Sequence, residues 1–383
     1  MHTKPKILVF IDWFYPGFRS GGPTRSVWNL IQKLKDQFDF YVVTRNIDYC
    51  EETPYLNVIP DQWQEVFEGL QVYYQDHKKL SAANIKKHIQ KIDWDFCYIN
   101  GLYSYYFSIL PTHFTKRIIK GKVIVCPRGM LSDGSISVKG TKKKAFVNIA
   151  QRFGLYKHVT FHATKKQEAE NVKKWLGSDN AEVIPNFPSE VFEEKLSFPI
   201  KEKGYLNLIW LGRISPEKNL DFALKLLRNT RSGKINFMLY GVIYDKAYWE
   251  HCQEIINKMP SRIHVEYKGV LNPEEIPRTL TQFHFFFLPT TGENFGHAIL
   301  ESLLSGTPVI ISNTTPWTNL VDLGVGWDLP LYEPRSFLKV LRDATNMEGK
   351  QYLELRKRVM RYREKILDIE PQIEGYNKLF SKE

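Results

Sequence analysis

At 383 residues, 43% hydrophobic and 25% charged, the chain has a globular composition and the length for two domains of ordinary size, which excludes a disordered or fibrous class. Its longest apolar runs are strand-sized, as in "FFFL", well short of the roughly 20 residues of a membrane span, and Cys50, Cys97, Cys126 and Cys252 form no C-x-x-C pair, which excludes zinc-finger and disulfide-scaffold classes. The net charge of +11 is uneven: residues 1–190 hold 27 Lys and Arg against 18 Asp and Glu, and residues 191–383 hold 26 against 24, so the first half is the one suited to phosphorylated ligands, anionic lipid or nucleic acid.

Short β-rich runs alternate with helical segments along the whole chain. The first, 6–11, follows Lys4 and Lys6 but ends at Asp12, too soon for a signal-peptide core, so retention in the cytoplasm is expected. Further strands are expected at 38–44, 95–100, 122–127, 158–164 and 181–185, most of them separated by helices. Over 164–177, Thr164 and Gln167 stand in capping-box spacing and Gly177 marks the stop. After "PNFPSE" the alternation restarts, with strands at 205–212, 235–241, 263–269, 283–289 and 307–312 and helices at 216–229, 245–259 and 296–306. The pattern predicts an α/β protein with two βαβ sheets covered by helices.

Ligands of open parallel sheets bind beyond the carboxyl ends of the strands, where loops lead into helix N-termini. In "DWFYPGFRSGGPTRS", Gly21, Gly22 and Pro23 open a helix whose free N–H groups suit a phosphate or another oxygen-rich ligand, and Arg19 and Arg25 add charge. G-x-G-x-x-G is missing there, and a plain turn is the alternative. In "WLGRISPEKNL", Gly212 permits close backbone approach while Arg213 and Lys218 bracket Pro216. Two cations at one strand-to-helix turn suit a diphosphate, which takes a forked bond from arginine and point charge from lysine; a surface pair of Arg213 with Glu217 is the alternative. In "TTGENFGHAILESLLSG", Glu293 sits in a loop and Glu301 about two turns into the next helix, with the amides of Asn294, Phe295 and Gly296 at its start. Carboxylates accept from vicinal hydroxyls, so the two suit a ribose at one point and a hexose at another.

These residues carry a resemblance. "GRISPEKN" followed by "GENFGHAILESLLSGTPVI" resembles the signature of the retaining glycosyltransferases of family 4. That family has the GT-B fold, two facing Rossmann-like domains with parallel sheets and an interdomain cleft. The "GG" loop and the "VIPN" linker extend the likeness over nearly the whole chain, and "CPRGMLSDG" and "HATKKQE" are similar to bacterial members that build surface polysaccharides. The resemblance implies an acceptor-binding domain over 1–187, a donor-binding domain over 188–365 and a C-terminal helix, 366–383, that returns to the first domain. It implies that Arg213 and Lys218 bind the donor diphosphate, both expected to face solvent in the empty protein. Glu301 would hold the ribose, Glu293 with Asn294, Phe295 and Gly296 the transferred sugar, and Val270 and Leu271 the base, with Gly212 beside them and Gly21 and Gly22 lining the opposite domain. Many relatives carry a histidine where this chain has Arg128; neither His297 nor His162 clearly replaces it, and Arg128, His297 and Arg25 are candidates for sugar or acceptor contacts.

Cleavage of a sugar from a nucleoside diphosphate places negative charge on the leaving phosphate, which fixed cations and a helix N-terminus stabilise without a metal. "DWD" at residues 93–95 precedes a strand and reads as a linker, so no metal and no cofactor are expected beyond the nucleotide sugar itself. The expected partners are that donor and a glycan or polyprenyl-diphosphate-linked acceptor. An anionic membrane surface facing the basic first half, on the inner side of the cell membrane, is a further one. An epimerase or phosphorylase of the same fold, and a basic nucleic-acid-binding protein, are the competing readings; no RNA-recognition or zinc-finger spacing supports the last, and nucleic acid is not an expected partner.

Overall fold

Strand-sized apolar runs assemble into two sheets. The computed structural model describes residues 4–118, 120–132, 135–136, 140–189, 198–231 and 233–382; Asp133 and Gly134 of "CPRGMLSDG" lie outside them. The chain divides into two units, residues 1–187 with 369–383, and residues 188–368.

In the first unit β1 (Lys6–Phe10), β2 (Asp39–Arg45), β3 (Trp63–Phe67), β4 (Leu70–Gln75), β5 (Phe96–Asn100), β6 (Lys122–Cys126), β7 (Val159–Ala163) and β8 (Ala181–Val183) form one sheet in the order β3-β4-β2-β1-β5-β6-β7-β8. Every neighbouring pair is parallel except β3 with β4. Apolar cores lie against its faces, and β5 and β7 are buried along their whole length, as strands covered on both sides must be. The last helix, Glu370–Leu379, brings Tyr376, Leu379 and Phe380 into one of these cores, with Tyr376 stacked on Phe187 at 4.8 Å between ring centroids.

The second unit is a six-stranded parallel sheet of β9 (Tyr205–Leu211), β10 (Lys234–Tyr240), β11 (Ile263–Tyr267), β12 (Phe285–Leu288), β13 (Val309–Ser312) and β14 (Gly326–Leu329), ordered β11-β10-β9-β12-β13-β14. All residues of β12 and β13 are buried. The sheet reverses its winding between β9 and β12, so the turns that follow these two strands lie side by side at a topological switch point.

The structure corrects the expected capping box. Lys165 occupies the cap position of the helix Lys166–Leu176 without a side-chain cap. Glu168, rather than Gln167, reaches back: its Oε2 accepts from the Thr164 N–H at 2.7 Å and the Thr164 hydroxyl at 2.9 Å, and its Oε1 accepts from Gly129 N–H at 2.5 Å. A buried carboxylate with several donors outcompetes an exposed amide. Gly177 does end the helix, in the left-handed region.

A chain of hydrogen bonds runs through the first unit from Arg128 to β8. The Ile184 carbonyl can only accept, so His162 Nε2, 2.9 Å away, carries the ring proton and Nδ1 accepts from the Tyr98 hydroxyl at 2.7 Å. His162 is fully buried, and burial first, then the Arg128 cation, push its pKa down to about 3. Below the unfolded pKa of about 6.5 the unfolded chain takes up a proton that the folded one refuses. This stability is therefore complete above pH 6.5 and lost as pH falls towards 3, by up to about 1.4 kcal/mol per pH unit. The melting temperature of His162→Gln is expected to fall less between pH 7 and pH 5 than that of the parent; equal falls would remove His162 from the acid response.

Candidate functional site

At the carboxyl end of β9 the chain runs through Gly212 and Arg213 into a short helical turn, Pro216–Lys218, and then into the helix Leu220–Arg228. Asn219, in the left-handed region at φ 59°, joins the two. Its side-chain amide donates to the Pro289 carbonyl at 2.9 Å, which fixes this turn to the end of β12. Thr290 and Thr291 complete the join: both hydroxyls donate to the Glu217 carbonyl at 2.9 Å, and the Thr291 N–H does so at 3.0 Å. The Thr290 carbonyl is held in turn by the hydroxyls of Ser312 and Thr314 at the end of β13. Two turns separated by some seventy residues of sequence are thus tied into one backbone unit from Glu217 to Thr290.

This join sets the charges. Lys218 Nζ forms an ion pair with Glu293 Oε1, both side chains largely buried at 15% and 12% exposure. The expectation that Lys218 faces solvent is corrected: the ammonium turns inwards because the loop after β12 delivers a carboxylate to it. Arg213 does remain half-exposed, at 36%, with Nη2 3.2 Å from Glu217 Oε1 and its guanidinium over the Tyr244 ring at 5.5 Å. The alternative reading of Arg213, a pair with Glu217, is the arrangement in the structure. An exposed pair of this kind contributes only about 0–1 kcal/mol, so Arg213 can change partners at little cost.

Glycines bring the neighbouring loops close. A Cβ on Gly241, after β10, would fall 1.8 Å from the Gly212 carbonyl oxygen, and Gly241 has φ 142°, so no other residue fits. Gly241 N–H donates to the Gly269 carbonyl at 2.8 Å, which carries Val270 and Leu271 to the same edge of the sheet. On the other side Gly296 caps the helix His297–Leu304 at φ 79°, and a Cβ there would meet the Trp317 indole at 3.1 Å. That indole donates to the Phe295 carbonyl at 2.7 Å, holding Asn294 to Gly296 at the helix start. Glu301 lies in the second turn of this helix, buried at 5% exposure, and His297 begins it, its ring 4.7 Å from that of Phe295.

In the first unit Gly21 caps the helix Gly22–Leu34 at φ 74°, with Pro23 in its first turn and no carboxylate there. Arg25 follows, its pKa brought down to about 10 by burial, and Arg19 pairs with Glu51. Arg128, at φ 54° after β6, is committed to protein acceptors: Nε and Nη2 donate to Asn100 Oδ1 at 3.1 and 2.8 Å, Nη1 to Asn186 Oδ1 at 2.7 Å, and Nη2 also to the Tyr98 hydroxyl at 3.1 Å. His162 lies behind it in the core and reaches no surface. The DWD segment does lie between the helix Ala82–Lys91 and β5, with Asp95 Oδ2 accepting from Lys6 N–H at 2.8 Å.

Asn219, Gly241, Thr290 and Thr291 escape a reading of motifs by side-chain charge. Their common signal is position: Gly241 follows the last residue of β10, Thr290 and Thr291 come within three residues of the end of β12, and Asn219 opens a helix.

Comparison with known proteins gives this arrangement a context. The family model described as "Glycosyl transferases group 1" matches residues 191–365. The sulfoquinovosyl transferase of Arabidopsis thaliana is 27% identical over 143 residues, 37% of this chain and 26% of that protein. The O-antigen chain mannosyltransferase B of Escherichia coli is 24% identical over 147 residues, 37% of each. The matches thus span 26% and 37% of the length of these relatives. Among solved structures, Anabaena Alr3699/HepE in complex with UDP and glucose aligns with a TM-score of 0.70 at 14% identity, over 98% of this chain and 99% of that one. At such identity the likeness shows the fold, which is of the GT-B class.

Proposed function

From the membership of residues 191–365 in the glycosyl transferases group 1, we propose that the protein moves a sugar from a nucleoside-diphosphate donor to a growing glycan, with retention of anomeric configuration. The acceptor is polyprenyl-diphosphate-linked, the product a bacterial surface polysaccharide, and the place of reaction the cytoplasmic face of the membrane. The O-antigen mannosyltransferase among the relatives supports this choice of pathway class.

The observation that carries the reading is the welding of the β9 and β12 turns, with Arg213 and Lys218 on one and Glu293 on the other. As the sugar–phosphate bond breaks, charge builds on the leaving diphosphate, and two cations that exchange their protein partners for it when the donor binds are already in place to stabilise it. Lys218 exchanges Glu293 for a phosphate oxygen. The carboxylate so released accepts hydroxyl groups of the transferred sugar, while Glu301 accepts those of the ribose and the loop at Val270 and Leu271 receives the base. Because Lys218 and Arg213 serve the leaving group, no step calls for a metal. Arg128 acts by position in this reading, since its donors are engaged with Asn100, Asn186 and Tyr98.

Initial rates across donor concentration test the division of labour. Glu301→Gln is expected to raise the donor KM with little change in kcat, and Glu293→Gln to lower kcat. Equal effects of the two on KM alone would reassign Glu293 to nucleotide binding.

A further inference from the structure

The helix Gly140–Arg152 turns Val147 and Ala150 into the core of the first unit, at 2% and 3% exposure. On its other side Ile149 is 56% exposed and Phe153 70%. The Phe153 N–H donates to the Ile149 carbonyl at 3.0 Å, so the helical turn continues and the two side chains share a face. Two large apolar groups side by side in water are unfavourable unless something apolar covers them.

Cations surround this pair. Lys116 Nζ donates to the carbonyls of Phe153 and Gly154 at 3.2 and 3.3 Å, and the Lys157 chain lies over Gly154, its Cδ 2.9 Å from where a Cβ would stand. Lys142, Lys144 and Arg152 are exposed along the same helix. Residues 96–167 contain thirteen lysines and arginines and a single carboxylate, Asp133.

We propose that Ile149 and Phe153, flanked by Lys116, Arg152 and Lys157, dock on an anionic lipid bilayer. The chemistry is that of an interfacial helix: the apolar pair enters the boundary between headgroups and acyl chains, and the lysine stems lie along it with their ammonium groups at the phosphates. Nucleic acid would satisfy the lysines but offers no apolar phase to Ile149. No helix of the described residues is long and apolar enough to cross a membrane, so the association is with the surface. The inference deepens the reading of a lipid-linked acceptor and rests on it, because a docked enzyme meets such an acceptor in two dimensions.

The test is flotation of the full chain with phosphatidylcholine vesicles, with and without phosphatidylglycerol, over a salt series, beside retention on an oligonucleotide. Flotation only with the anionic vesicles, weakening with salt, is expected. Phe153→Ser should weaken it about tenfold or more and Lys157→Gln about fivefold, both with unchanged melting temperature. Absence of salt-sensitive flotation, flotation that Phe153→Ser and Ile149→Ser leave intact, or oligonucleotide retention in its place would overturn the proposal. Donor binding, followed without vesicles, separates this failure from a failure of the glycosyltransferase reading.

Discussion

Replacing Arg213 by alanine is expected to lower sugar transfer roughly ten- to a hundredfold and to leave the melting temperature nearly unchanged. The loss corresponds to one charge-assisted hydrogen bond to the leaving diphosphate, about 1.5–3 kcal/mol. The fold survives because the partners lost are Glu217, in a half-exposed pair worth little, and the exposed ring of Tyr244. Lys218→Ala should lose at least as much transfer, and stability too. Its ammonium is largely buried against Glu293, and removal takes away the cation that offsets a largely buried carboxylate, at a cost of about 1–3 kcal/mol. The double variant Lys218→Ala with Glu293→Gln separates the two effects: it should regain much of the melting temperature and none of the transfer. Recovery of transfer as well would mean that Lys218 serves only to hold Glu293.

Arg128→Ala is expected to act on stability. Four donor contacts, to Asn100, Asn186 and Tyr98, tie the end of β5, the segment after β8 and the His162 relay together. Losing them leaves several acceptors unsatisfied and should cost about 2–4 kcal/mol, or a fall of roughly 5–15 °C in the melting temperature. Arg128→Lys should recover little, since an ammonium cannot span the forked acceptor set. Calorimetry of the three proteins decides it. A variant that melts like the parent but transfers no sugar would instead place Arg128 at the reacting sugar.

The second unit was the more legible of the two from sequence. Its central strands are covered on both faces, so they read as unbroken apolar runs such as "FFFL" and "VIIS", each closed by a polar or glycine-rich turn. β14, "GWDL", is not legible, because four residues with an aspartate carry no periodic signal. In the first unit the hairpin of β3 and β4 is not legible for a related reason. β3 is an edge strand with no buried residue, and its partner follows after only two residues, Glu68 and Gly69, a turn without the Asn-Gly or Asp-Gly spelling.

Within the candidate site the charged residues were visible and their partners were not. Arg213 and Lys218 stand out by spacing, but that Lys218 turns to Glu293 depends on the loop after β12 being pinned by Thr290 and Thr291. Only the fold puts those hydroxyls beside Glu217. Arg128 shows the reverse: its position after β6 suggested contact with a ligand, and the three acceptors that engage it lie on segments remote in sequence.

The most direct measurement is thermal stabilisation of the parent and of Arg213→Ala by a panel of UDP-, GDP- and ADP-sugars in the presence of chelator. A ligand that binds only the folded form, at about a hundred times its Kd, adds about 2.7 kcal/mol and raises the melting temperature by roughly 5–10 °C. At least one sugar nucleotide is expected to do this for the parent, and the rise should shrink to a small fraction in Arg213→Ala. If no member of the panel stabilises the parent, or if Arg213→Ala is stabilised as well as the parent, the donor does not bind at the β9 turn.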